Sequence, residues 1–269
     1  MRYLREFRTG EMMGTFDNKV VVVTGANTGI GAAAAMKFAS EGAQVVLAAR
    51  RVDKGLEVEN TIKAAGGKAL FVRTDVTQRA DVEALINRTL DAYGRLDCAV
   101  NNAGVSGPVL VPLADVEEDQ WDEVMNTNLR AVWLCMKFEI AAMLRGGAGS
   151  IVNISSIYGT KPHDLGAAPY AASKHGVNGL SKSAAVDYAT QGIRVNVVAP
   201  GYTHSDIIDS YIEQAPELSA LVVARHSAMN RVGDASETAE AIAWLCSDAA
   251  SFVNGVVLDV DGGSTTKLV

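Results

Sequence analysis

The chain has 269 residues, 48% of them hydrophobic, a formal charge of −7 and a pI near 5.2. That acidity argues against a nucleic-acid partner, which would need clustered Lys and Arg, and no uncharged apolar run approaches the roughly 20 residues that cross a bilayer. Cys98, Cys135 and Cys246 lack CxxC spacing and the four histidines lack HxxxH spacing, which disfavours a disulfide framework and a metal site and fits packed thiols in the reducing cytoplasm.

Met1 to Thr15 mix Arg2, Arg5 and Arg8 with acids around no apolar signal core. Residues 1–16 therefore read as a flexible N-terminal extension, with Met12 or Met13 as a candidate native start. Only six prolines interrupt the chain and none stands in a linker-like run, so one domain is expected over 17–269. In chain order the patterns predict a strand over 19–24, a helix over 29–41, a strand over 44–49, a helix over 52–65 and a strand over 68–74. A helix over 79–93, a strand over 96–101, a helix over 117–145 and a strand over 150–155 follow. The series closes with a helix over 168–190, a strand over 194–199, a helix over 236–247 and a strand over 256–260. This alternation is the mark of repeated βαβ units, and it predicts an α/β fold: a doubly wound, Rossmann-type parallel sheet of seven strands with helices on both faces. Val20-Val21-Val22-Val23 and Val45-Val46-Leu47 are continuous apolar runs, as strands covered on both faces require.

The stretch 117–145 carries more apolar residues than one helix face holds, among them Trp121, Leu129, Trp133 and Phe138. A helix apolar nearly all round must be covered on both sides, which predicts a homotetramer or homodimer packed through it and the 168–190 helix. The acidic run Asp115-Val116-Glu117-Glu118-Asp119 reads as a solvated helix start.

Thr24-Gly25-Ala26-Asn27-Thr28-Gly29-Ile30-Gly31 follows the first strand and opens a helix. In that place glycines let backbone N–H groups approach a pyrophosphate, and the helix N-terminus adds partial positive charge. A dinucleotide is therefore expected on Gly25, Asn27, Thr28, Gly29 and Ile30. At the end of the second strand an NAD site usually has an acid for the ribose hydroxyls, whereas a 2′-phosphate calls for arginine. Here Ala49 stands in the acid's place and Arg50 follows. NADP(H) is favoured, with NAD(H) as the alternative if Arg50 and Arg51 only cap a loop. Asp75-Val76 are candidates for the adenine amine, and Asn101-Asn102-Ala103-Gly104 for the floor of the cofactor groove; loop capping by Asp and Asn is the other reading. Tyr170 and Lys174, four positions apart, share a helix face, so the ammonium can favour the phenolate. With the glycine turn they read as one redox site.

The ordered set Thr24–Gly31, Asn101–Gly104, Asn128, Ser156, Tyr170-xxx-Lys174 and Pro200-Gly201 resembles the compact, single-domain branch of the short-chain dehydrogenase/reductase family, over roughly residues 17–265. The resemblance implies hydride transfer between a nicotinamide and a small-molecule ketone or secondary alcohol. It implies Tyr170 as the acid/base and Lys174 as the group that poises it and binds the nicotinamide ribose. Ser156 would hold the substrate oxygen, with Ser155 the competing assignment, and Asn128 would hold a relay water, with Asn126 the alternative. Pro200 and Gly201 would turn the chain beneath the nicotinamide. Where the family often has threonine four residues after that glycine, this chain has Ser205, with Thr203 nearby; either hydroxyl could serve the carboxamide or a phosphate. A free phenol titrates near pH 10, so Lys174 and the oxidised nicotinamide are expected to lower it. Residues 202–230 interleave Ile207, Ile208, Tyr211, Ile212, Leu218, Leu221, Val222 and Met229 with acids, as an amphipathic lid would, and His163 and Asp164 are candidates for the pocket rim. A non-catalytic nucleotide-binding sensor is the remaining alternative; it has no need of Ser156, Tyr170 and Lys174 together.

Overall fold

The computed structural model describes residues 14–267 apart from 164–165, 206–207, 210–216, 218–219, 221–222 and 224–226. Residues 1–13 of the expected extension, Asp164, and Ile207, Tyr211, Ile212, Leu218, Leu221 and Val222 of the expected lid lie outside the described residues.

Seven strands form one sheet: β1 (Val20–Thr24), β2 (Gln44–Ala49), β3 (Lys68–Arg73), β4 (Cys98–Asn101), β5 (Gly149–Ile154), β6 (Ile193–Pro200) and β7 (Val257–Val260). Their order is β3-β2-β1-β4-β5-β6-β7, and every pairing is parallel. The helices that connect them are α1 (Gly29–Ser40), α2 (Val52–Ala64), α3 (Arg79–Tyr93), α4 (Glu118–Met125), α5 (Ala131–Gly146), α6 (Ala168–Tyr188) and α7 (Ala235–Cys246). The predicted doubly wound sheet is the observed one, with element ends shifted by a residue or two.

Alternation along the strands divides the core in two. Val21, Val23, Val45 and Leu47 face a layer built with Ala34, Ala35 and Phe38 of α1 and Ile242 of α7. Val22, Val46 and Ala48 face the opposite layer, with Leu85 of α3, Met136 and Met143 of α5 and Val177 of α6. A valine run has no polar face because both faces are roofed. The alanines of α1 keep it thin enough for α7 to pack beside it. The first layer also begins earlier than expected: Phe16 is buried, its ring edge-on to Phe38 at 4.8 Å, and its N–H donates to Glu41 O at 2.9 Å. Phe16, placed in the expected extension, thus packs into the core of the domain.

The predicted single helix over 117–145 is interrupted. α4 passes into a π-helical turn at Asn126–Arg130 and resumes as α5. Such a turn adds a residue to the helix, and these bulges are frequent at functional sites. Here it places Asn128 fully inside while Asn126 stays exposed. Gly176 of α6 permits this approach, since a Cβ there would lie 2.8 Å from Leu129 Cδ2.

Cys98, Cys135 and Cys246 are free, buried thiols, with Cys98 lying against Cys246. Among the described residues no helix is long and apolar enough to cross a membrane.

Candidate active site

The strand order reverses between β1 and β4, and in open parallel sheets ligands bind in the crevice at the carboxyl ends of the strands at such a point. The glycine turn leaves β1 there. Gly25 and Gly29 have φ of +65° and +53°, a conformation that favours glycine. A Cβ on Gly25 would lie 2.8 Å from Asn102 Nδ2, and one on Gly31 would strike Gly25 O. Thr28 begins α1 without a side-chain cap, so the first N–H groups of that helix keep the donor capacity that suits an anion. This bare, glycine-built cradle fits a pyrophosphate.

Asn102 is a strut between the two strand ends. Its N–H donates to Thr24 Oγ1 at 3.0 Å, and its Nδ2 donates to Thr24 O and Gly25 O at 3.1 and 3.2 Å. Ala103 N–H also donates to Thr24 Oγ1, at 3.2 Å. Asp75 Oδ1 accepts from Thr77 N–H and Thr77 Oγ1 at 3.0 and 2.7 Å, so at least one oxygen does the loop-capping that its residue type allows. Burial pushes the Asp75 carboxyl up, but those hydrogen bonds and the fields of Arg50 and Arg73 leave it below its ordinary value. Val76 is buried beside it.

The arginine at the glycine turn is Arg51. Its Nη2 donates to Thr28 Oγ1 at 3.3 Å, and with the Asn27 amide turned to present its oxygen, Nε and Nη2 donate to it at 2.7 and 2.9 Å. Arg50 is exposed and acts on Asp75 instead. The arginine side chain that lies on the turn is thus two positions after Ala49. A similar exchange occurs after β6. Thr203 is buried with its hydroxyl donating to Gly201 O at 3.2 Å, whereas Ser205 lies against the turn, its Cβ 3.1 Å from where a Gly29 Cβ would be. Gly201 is tight against β7, its N–H donating to Val260 O at 3.0 Å, and follows Pro200, the last residue of β6.

Beyond the turn, β5 and α6 bring Ser156, Tyr170 and Lys174 together. Ser156 caps the turn Ile157–Gly159, accepting from Tyr158 N–H at 3.2 Å, and its side chain is near enough to the Tyr170 phenol to favour the phenolate. Ser155 faces the other way and donates to Lys174 O at 3.2 Å. Lys174 is buried, donates from Nζ to Ile154 O at 2.9 Å, and lies 5.5 Å from the Tyr170 ring centre. Burial pushes its ammonium down to about 8. The Tyr170 phenol is pushed above its ordinary value by burial; Ser156 pulls it back, and Tyr202 adds to the rise. The expected lowering of the phenol is not found, because its desolvation dominates.

Asn128 is held by the Val105 backbone and the Ser173 hydroxyl. Its Oδ1 accepts from Val105 N–H at 2.8 Å, and its Nδ2 donates to Val105 O at 2.8 Å and to Ser173 Oγ at 3.3 Å. Its side chain therefore ties the loop after β4 to α6. Gly104 completes that junction, since a Cβ there would lie 3.2 Å from Asn128 Oδ1 and 3.8 Å from Lys174 Nζ. Around Tyr170 stands an aromatic wall that the motifs did not reveal. His163 stacks on Tyr158 at 3.9 Å and meets Tyr170 edge-on at 6.1 Å, and the Tyr158 and Tyr202 hydroxyls are 2.9 Å apart.

Comparison with known proteins places this arrangement. A family model described as enoyl-(acyl carrier protein) reductase matches residues 25–265. The A-factor type gamma-butyrolactone 1'-reductase (1S-forming) of Streptomyces virginiae is 42% identical over 256 residues, 95% of this chain and 98% of its own. The cis-4-hydroxycyclohexanecarboxylate dehydrogenase of Sinomonas cyclohexanicum is 43% identical over 251 residues, 93% of this chain and 98% of its own. Among solved structures, levodione reductase superposes with a TM-score of 0.89 at 33% identity, covering 94% of this chain and all of that one.

Proposed function

Since the chain belongs to the short-chain dehydrogenase/reductase family, oxidoreductases of secondary alcohols and ketones, we propose that it is an NADP(H)-dependent reductase or dehydrogenase of a ring-bearing ketone or secondary alcohol. The observation that carries this reading is the convergence of the Ser156 hydroxyl, the Tyr170 phenol and the buried Lys174 ammonium beside a glycine turn built for a pyrophosphate. The ring preference rests on the aromatic wall of Tyr158, His163 and Tyr202 and on a relative named for a hydroxycyclohexane substrate.

When bound, the nicotinamide supplies or accepts the hydride. Ser156 holds the substrate oxygen through its hydroxyl, stabilising charge as it develops there. Tyr170 gives that oxygen a proton from Oη in reduction and takes it back in oxidation. The Lys174 ammonium, fixed by Ile154 O, favours the phenolate when the proton leaves. Asn128 acts by position, locking the Val105 loop to α6 at Ser173. The cofactor itself would rest on Gly25, Gly29, Ile30 and the α1 N-terminus, with Ser205 at the turn, Val76 and Asp75 toward the adenine, and Pro200 and Gly201 as the bend after β6.

The choice of NADP(H) is supported by Ala49 in place of an acid and by Arg51 lying on Asn27 and Thr28. Arg51→Ala is expected to lower the NADPH-to-NADH ratio of kcat/KM by about tenfold or more, the worth of one charge-assisted contact. Arg50→Ala should lower it less. A wild-type preference for NADH above tenfold, in steady-state assays with cyclohexanone-type substrates, would end the NADP(H) reading and leave NAD(H).

A homodimer or homotetramer is part of the same proposal. Trp133 and Trp121 remain 44% and 37% exposed on the outer side of α5 and α4, and Val186 on α6 is 79% exposed, an apolar display that a partner copy would cover. Light scattering at micromolar concentration is expected to give a dimer or tetramer mass; a monomer peak overturns it.

A further inference from the structure

A buried polar row runs across the sheet one residue beneath the site. Glu139, on α5, is 1% exposed, and its Oε2 accepts from Asn101 Nδ2 at 2.9 Å. Asn101, the last residue of β4, also donates from Nδ2 to Asn153 Oδ1 at 2.9 Å. Asn153, on β5, donates from Nδ2 to Ser181 Oγ on α6 at 2.8 Å and lies 3.2 Å from Met136 Sδ, one turn before Glu139. The row thus ties α5, β4, β5 and α6 through side chains that are all nearly inaccessible.

Its position matters more than its cohesion. Asn101 precedes Asn102, the strut that holds the carbonyls of Thr24 and Gly25. Asn153 precedes Ile154, whose carbonyl holds Lys174 Nζ. The two halves of the site, the cofactor turn and the catalytic lysine, therefore hang from adjacent residues of one hydrogen-bonded pair. Glu139 is the end of that pair's support. Asn101 Oδ1 is buried without a partner among the described residues, so Asn101 is oriented entirely by the two acceptors facing its Nδ2.

A carboxyl here is costly. Among the described residues Glu139 forms no ion pair, and a buried charge without a partner of opposite sign is strongly unfavourable unless it takes up a proton. Burial indeed pushes it up to about 7, against a smaller pull from Asn101. Its titratable neighbour on its own helix is the buried Cys135, whose thiol it pushes up; from β4, β5 and α6 it faces the neutral row of Asn101, Asn153 and Ser181. A leucine would fill the space without that penalty. We propose that Glu139 is a positioning residue, which through Asn101 and Asn153 sets both the Asn102 strut beneath the nucleotide turn and the Ile154 carbonyl that anchors Lys174. What acts is an acceptor oxygen at that spot, in either protonation state.

The inference rests on the proposed hydride-transfer site but is tested by nucleotide binding, which needs no substrate. Glu139→Leu removes the acceptor, and Glu139→Gln keeps an amide oxygen in its place. Per folded molecule, Glu139→Leu is expected to weaken NADPH binding, read by protein fluorescence titration, about tenfold and to lower kcat by about tenfold to a hundredfold, the scale of a small misplacement at a reacting centre. Glu139→Gln is expected to restore both to within about threefold. Asn153→Ala, which breaks the row at its centre, carries the same expectation as Glu139→Leu should that variant not fold. Unchanged nucleotide affinity and kcat in Glu139→Leu or Asn153→Ala overturn the proposal, as does a Glu139→Gln variant as impaired as Glu139→Leu. A wild type that binds nucleotide but reduces no ketone would refute the hydride-transfer reading and leave this test intact.

Discussion

Tyr170→Phe is expected to lower kcat/KM for ketone reduction by about 10²–10⁴-fold, the range for removing a positioned proton donor, while nucleotide affinity stays within a few-fold of wild type. The substitution deletes one oxygen and keeps the ring that meets His163 edge-on and lies near Lys174, so the pocket wall survives and the loss falls on chemistry. The pH dependence has a defined direction. In reduction Tyr170 works as the protonated phenol, and its raised value keeps it protonated through neutrality. Lys174, lowered to about 8 by burial, is charged below that pH and loses its charge above it. The wild-type reductive rate should therefore be flat at neutral pH and fall as pH rises through about 8, and stopped-flow or steady-state profiles measure it. A Tyr170→Phe rate near that of wild type would remove the acid/base assignment.

The second large effect concerns the serine pair. Ser156→Ala is expected to reduce kcat by about 10²–10³-fold, the cost of one donor to a developing oxyanion, with little change in nucleotide binding. Ser155→Ala should cost far less in rate, because its hydroxyl is spent on Lys174 O; its effect should fall instead on the melting temperature, through a buried carbonyl left short of a partner. Melting curves and turnover measured on both variants separate the two. Equal losses of rate would mean that the hydroxyl facing Tyr170 has no special part.

Much of this arrangement was legible in the chain because it is written in local pattern. Continuous valine runs required a roofed parallel sheet, and Gly25, Gly29 and Gly31 after the first strand required a close backbone approach. What was not legible depends on facing. Arg50 and Arg51 are adjacent in sequence, but Arg51 reaches Thr28 while Arg50 acts on Asp75. Thr203 and Ser205 differ by two residues, yet the first turns onto Gly201 O and the second onto the glycine turn. Asn128 was recognisable as a buried amide, but its partners, the backbone of Val105 and Ser173 Oγ, are long-range. Nor could apolar periodicity announce the π-helical turn at Asn126–Arg130, which changes helix phase without changing composition. The apolar pattern of its helix does not single out Glu139, whose partner Asn101 lies on β4.

The place of β1 in the sheet has a kinetic meaning. It pairs with β2 on one side and, through Val21 with Cys98, with β4 on the other, so the nucleotide turn acquires its second wall only after a chain reversal of more than 70 residues. Non-local parallel pairing of this kind is slow to form and is preceded by loop-closure entropy that nothing local offsets. A nucleotide that needs both walls binds the folded molecule and not the unfolded chain, so it raises the stability of the finished fold by mass action.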